Sequence, residues 1–143
     1  MRGTWDDVNR RVTSTLLALD LDDVLVVGER VAPVRRGFLG NRRAPSGPRR
    51  HVLVTAGRDR LTGECVGSTS FGGEWDMGPE VEAELEALGW QRPWSPKYPT
   101  YWREAPLVNA PRLARACVRA LQVLGCEVED LEAELRHEDP DES

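Results

Sequence analysis

The chain has 143 residues, 40% of them hydrophobic, and a formal net charge of −5. That suits one globular domain with a true core, and no run of eighteen apolar residues is present to cross a bilayer. Charge is uneven: residues 1–62 carry 12 Arg against 7 acids, and residues 63–143 carry 7 basic residues against 17 acids. A nucleic-acid-binding domain is usually basic throughout, so nucleic acid is not the expected partner, whereas a protein of mixed charge is.

In chain order, Trp5, Val8, Val12, Leu16 and Leu19 recur at steps of three and four, which predicts an amphipathic helix over 4–19. Thr4 is its expected N-cap, and Asp6 and Asp7 suit the positive end of the helix dipole. The acidic start, with no apolar stretch behind it, argues against a secretory signal and for a cytoplasmic protein. Val24-Leu25-Val26-Val27 predicts a strand reaching about Val31 or Val34. His51 to Ala56 predicts a second, Arg58-Asp59-Arg60 a turn, and Leu61 to about Phe71 a third strand. Short connections between them imply an antiparallel sheet of at least three strands.

Residues 35–50 separate the first two strands and hold six arginines (Arg35, Arg36, Arg42, Arg43, Arg49, Arg50), three glycines and two prolines. With no periodicity, the stretch is expected to be a mobile loop. Its arginines are candidate electrostatic contacts for a partner; a solvated insertion without a specific role is the favoured alternative.

Pro79 at a first helical position opens a predicted helix to Leu88, with Val81, Leu85 and Leu88 buried and Gly89 as its C-cap. The next segment crowds five of the chain's nine aromatics, Trp90, Trp94, Tyr98, Tyr101 and Trp102, between Pro93, Pro96 and Pro99. Proline excludes a regular helix here, so an extended aromatic loop is expected. All five are candidate partner-binding residues. Trp94, Tyr98 and Tyr101 fit an exposed face best, while Trp90 and Trp102 read more readily as core plugs. A third helix is expected from Asn109 to about Leu124, stopped by Gly125. Val128, Leu131 and Leu135 allow a short fourth, and His137 to Ser143 is an acidic tail expected to fray. The order α-β-β-β-α-(aromatic loop)-α-α makes one α+β domain, with helices on one face of the antiparallel sheet.

No catalytic set emerges. His51 and His137 share no motif with each other or with a cysteine, so neither a zinc site nor a Cys–His nucleophile has local support. Cys65, Cys117 and Cys126 lack CxxC spacing and read as free thiols in a reducing compartment, or simply as small buried hydrophobes. The sequence has no GxxxxGK[ST] phosphate loop and no GxSxG elbow. Asp22-Asp23 and Glu127, Glu129 and Asp130 have the spacing of a solvated surface. No cofactor or metal is expected.

Leu88-Gly89-Trp90 with Pro93, followed by Pro99-Thr100-Tyr101-Trp102, resembles the LGW-x-x-P…P-N-aromatic-W signature of the actinobacterial TY-Chap domains. That family is similar to YbjN proteins and type III secretion chaperones. Trp5 in the first helix, the strand at His51 to Val54 and Gly63-Glu64-Cys65-Val66-Gly67-Ser68 fit the same pattern. Thr100 stands where the family has Asn, His51-Val52-Leu53-Val54 lacks its Gln and aromatic, and the arginine loop looks inserted. The resemblance implies a non-enzymatic module that holds a client polypeptide as a chaperone-like adaptor, possible as a homodimer. A small acidic immunity or antitoxin-type protein that blocks a partner enzyme is the alternative.

Overall fold

The computed structural model describes residues 1–29, 50–66, 78–93 and 100–137. Three helices, α1 (Trp5–Leu17), α2 (Gly78–Ala87) and α3 (Ala110–Val123), accompany five strands. These are β1 (Asp23–Glu29), β2 (His51–Ala56), β3 (Arg60–Val66), β4 (Thr100–Pro106) and β5 (Leu131–His137). They form one antiparallel sheet in the order β4-β3-β2-β1-β5.

Alternation along the strands sorts the faces. Leu25 and Val27, Val52, Val54 and Ala56, then Leu61 and Cys65 all point to one side and are buried. The helices cover that side. The opposite face carries half-buried Val24, Leu53, Thr55, Thr62, Glu64 and Trp102. α1 contributes Val8, Val12 and Leu16, the stripe its 3.6-residue period demands. Each such side chain stabilises the fold by about 1.5–3 kcal/mol. Thr4 closes a capping box with Asp7 at its start.

α3 is the central helix. It packs on α1 along its length and touches β2, β3, β4 and α2. Its buried face is largely small, with Ala110, Ala114, Ala116, Cys117 and Ala120 between Leu113 and Leu121, so the helix sits close to its neighbours. Gly63 of β3 makes the closest seat: a Cβ there would lie 3.1 Å from Leu113 Cδ1 and 3.5 Å from the Trp90 ring.

Two strands were not expected. β4 takes up the end of the aromatic segment: Tyr101, Arg103 and Ala105 face the helices, while Trp102 and Glu104 face away. β5 replaces the expected fourth helix. Leu131 and Leu135 fit i, i+4 spacing, but Leu131, Ala133 and Leu135 fit a strand equally, and the open edge of β1 decides between them through seven paired positions. β1 itself stops at Glu29 within the described residues. His137 ends β5, so it does not belong to a frayed tail; residues 138–143, and 30–49 of the arginine loop, lie outside the described residues.

α1 turns into β1 through Asp22, whose φ of 69° an aspartate tolerates. Asp23, the one buried charged residue among those described, accepts from the Asp20 amide at 2.9 Å and pairs with His137 Nδ1 at 2.7 Å. These bonds hold its carboxyl below the usual carboxylate range, the Asp20 amide first and His137 second. A depressed folded-state pKa gives stability that is complete above the unfolded value, about 3.9, and lost as pH falls through the folded one. Asp23→Asn is therefore expected to lower the melting temperature at pH 7 and to shrink the extra loss the native chain suffers below about pH 4, read from melting curves between pH 2 and 7. Equal acid sensitivity in both proteins would refute it. Gly63→Val is expected to cost about 1–3 kcal/mol by overpacking under Leu113 and Trp90, measured by urea unfolding; an unchanged midpoint would contradict the close seat.

Candidate functional site

Two helix ends set the geometry. At the end of α2 the Trp90 amide donates to Leu85 O (3.1 Å) and the Gly89 amide to Glu86 O (3.0 Å). With Gly89 at φ 101°, this is a Schellman motif, and its apolar partners Leu85 and Trp90 are both buried. The end of α3 repeats it: Cys126 donates to Leu121 O and Gly125 to Gln122 O, both at 3.0 Å, with Gly125 at φ 89°.

An arginine from the sheet closes each end. Arg103 of β4 donates through Nη1 to Leu88 O at 3.0 Å, and its guanidinium lies 5.5 Å from the centre of the Trp90 ring. Arg50, just before β2, donates to Leu124 O at 2.8 Å and grips Glu29 of β1 with Nε and Nη2 at 2.9 and 2.7 Å. Both cations meet the negative end of a helix dipole. Both glycines leave the space: a Cβ on Gly89 would sit 3.2 Å from Arg103 Nη1, and one on Gly125 3.0 Å from Arg50 Nη1. The Leu88-Gly89-Trp90 run is thus a structural clasp between α2 and β4.

This relocates several expected site residues. Trp90 is a core residue at 3% exposure, in line with the core-plug reading. Tyr101, expected on an exposed face, is 5% exposed and faces the helices opposite Cys65; the strand pleat, with Tyr101 between two outward positions, turns it inward. Burial, with Glu82 and Glu86 nearby, pushes its hydroxyl pKa up. Trp102 is half-buried on the face away from the helices, its backbone paired with Gln91 by bonds of 2.8 and 3.2 Å. Arg50, expected as a mobile contact, is instead a structural ion pair. Trp94, Tyr98, Arg35, Arg36, Arg42, Arg43 and Arg49 lie outside the described residues.

The thiols are not poised for chemistry. Cys65, Cys117 and Cys126 are buried and unbridged. Desolvation pushes Cys117 and Cys126 up to about 12 and Cys65 higher still. Among the described residues no cluster of His, Cys, Asp or Glu is arranged to hold a metal ion, and no helix is long and apolar enough to cross a membrane.

What the fold leaves open lies beside α1. A groove of about 560 Å³ runs between α1 and the β1–β5 side of the sheet. Val12, Leu25, Val27 and Ala133 give it an apolar floor; Arg10, Arg11, Ser14, Thr15 and Met1 form its rim. Leu135, two residues beyond Ala133 on the same face, is 45% exposed and extends the apolar surface. β5 is the end strand of the sheet, and among the described residues no strand pairs with its outer edge. The edge at β4 differs, because Gln91 pairs across Trp102 there. An apolar trough beside an open strand edge suits an extended polypeptide, whose backbone pairs with the edge while alternate side chains enter the trough. From the sequence, Leu135 reads only as an apolar position of a short fourth helix and Ala133 carries no signal, so neither marks a binding surface.

A family model described as "T3SS (YopN, CesT) and YbjN peptide-binding chaperone 3", TY-Chap3, matches residues 1–138. The chain belongs to the TY-Chap3 family. Neither the search of curated proteins nor that of solved structures gave a match. The α+β architecture, with three helices on a five-stranded antiparallel sheet, agrees with a fold of the type III secretion chaperone and YbjN kind.

The clasp predicts a measurable energy for this TY-Chap3 chain. Arg103→Met keeps the stem but removes the bond to Leu88 O and the stacking on Trp90. It is expected to cost about 1–2 kcal/mol, seen as a lower urea midpoint. An unaltered midpoint would show that the contact carries no net stability.

Proposed function

We propose that this TY-Chap3 chain is a peptide-binding chaperone that holds an extended client segment in the groove between α1 and β5. The observation that carries the reading is the juxtaposition of the apolar groove lined by Leu25, Val27 and Ala133 with the outer edge of β5, with which no strand pairs among the described residues. The client supplies a strand to that edge and apolar side chains to the floor. Leu135 offers further exposed apolar area. The charged β5 residues Glu132, Glu134 and Arg136 guard the edge against pairing with arbitrary strands, as natural edge strands do.

The same reading makes the protein a cytoplasmic adaptor that performs no bond-making. The buried thiols with raised pKa values, and the lone pairing of His137 with Asp23, support that. It also makes the protein a homodimer. Leu17, Leu21, Leu107 and Val108 are exposed, and they lie at the same end of the sheet, where Asp22 N meets Ala56 O and Leu107 N meets Asp59 O. That apolar end is the surface offered to a second copy. Trp94 and Tyr98 remain proposed aromatic contacts, but the reading does not rest on them.

Ala133→Arg and Leu135→Glu are exposed changes that place charge on the trough. In a selection of 12-residue peptides displayed against the native chain, followed by titration of the winners, each variant is expected to bind at least about tenfold more weakly, equivalent to about 1.4 kcal/mol. The melting temperature should shift by no more than a few degrees, roughly the effect of a surface change. Peptides that bind both variants as tightly as the native chain would defeat the assignment of this groove.

A further inference from the structure

α1 has a second groove on its other side. Asn9, Arg10, Thr13 and Ser14 face Pro111, Arg112 and Arg115 of α3 across a space of about 590 Å³. Arg10, Arg112 and Arg115 are exposed, and none of the three forms an ion pair among the described residues. By contrast Arg60, Arg92 and Arg136 each sit on a carboxylate, Glu104, Glu86 and Glu134.

The helix ends sharpen this. α1 opens with Asp6 and Asp7 and a capping box, which neutralise its positive end. α3 opens with no acid in its first turn and no side-chain cap from Asn109, and Arg112 stands there instead. A cation at the positive end of a helix dipole is unfavourable in the isolated chain. Arg112 and Arg115 beside an uncompensated helix start, with Arg10 facing them and only partly offset by Asp7 of its own helix, form an anion site awaiting its charge.

The chain's net charge of −5 opposes a long polyanion while leaving a short acidic segment free to seat against the three arginines of the groove.

We propose that the α1–α3 groove binds an acidic segment of a client polypeptide, its carboxylates on Arg10, Arg112 and Arg115. This rests on the reading of the chain as a peptide-binding chaperone, and it adds the charge of the segment the chaperone selects. Arg10 and Ser14 line both grooves, so a client whose apolar stretch lies beside β5 carries its acidic flank across α1.

Fluorescence anisotropy at low salt tests this with three labelled probes: a 12-residue peptide of alternating Glu and Gly, an uncharged 12-residue peptide of Leu, Thr and Ser, and a 12-nucleotide single-stranded DNA. The acidic peptide is expected to bind. The double variant Arg112→Gln/Arg115→Gln should weaken it by about tenfold, the effect of two partly screened contacts, and raising ionic strength from about 0.01 M to about 0.15 M, which shortens the Debye length from about 30 Å to about 8 Å, should weaken native binding similarly. Arg92→Gln, remote from the groove, should change nothing, and the uncharged peptide should bind native and double variant alike. Equal affinity of the acidic peptide for native and double variant would overturn the proposal, as would tighter binding of the DNA than of the peptide. Binding of the uncharged peptide without any binding of the acidic one would sink the acidic groove alone. Binding of neither peptide would sink the chaperone reading with it.

Discussion

An arginine on the sheet holding the carbonyl end of a helix is the interaction on which the arrangement of this protein rests. It occurs twice. Arg103 fixes the end of α2 to β4, and Arg50 fixes the end of α3 to β1 and β2. A helix leaves its last carbonyls unpaired and its C-terminus partly negative, so a cation there satisfies a hydrogen bond and a dipole together. Glycine at the left-handed position makes the approach possible, since any side chain would crowd the guanidinium. With both ends of the helical layer tied to the sheet, α3 sits over Gly63 and α1 packs along α3. The position of α1 in turn defines the troughs on either side of it.

Those troughs differ in chemistry for a reason visible in the elements that line them. Towards β5 the floor is made by the inward face of β1, which is aliphatic because it continues the core. The sheet runs one strand further than the helices cover, so Ala133 and Leu135 of β5 carry this apolar surface out to its margin. Towards α3 the walls are the outward faces of two helices, and outward faces carry the charges. The proposed peptide site draws on that margin, a strand edge and a set of cations, all placed by the packing of one helix.

The elements legible in the sequence were those whose signal is local. The stripe of α1, its Thr4 cap, the glycine stops of α2 and α3 and the apolar runs of β1 to β3 all follow from residues within a turn or a strand of one another. The family signature was legible too, and the match over residues 1–138 agrees with it. β5 was not, because Leu131-Glu132-Ala133-Glu134-Leu135 satisfies both a helical and a strand period, and only the unpaired edge of β1, about a hundred residues earlier in the chain, resolves it. The aromatic segment misled for a related reason. Its prolines rule out a helix, but they do not say that the chain straightens after Pro99 and pairs with β3, which turns Tyr101 into the core.

The sequence alone determined the class of the domain, most of its helices and strands, and its family, because each of these depends on short-range pattern or on which residue types are present. Tertiary structure alone decided where the proposed binding surface lies. Leu25, Ala133 and Val12 come from three separate elements, as Arg10 and Arg112 come from two. Their meeting is a consequence of strand pairing and helix packing, interactions whose partners lie far apart in the chain and leave no mark in the order of neighbouring residues.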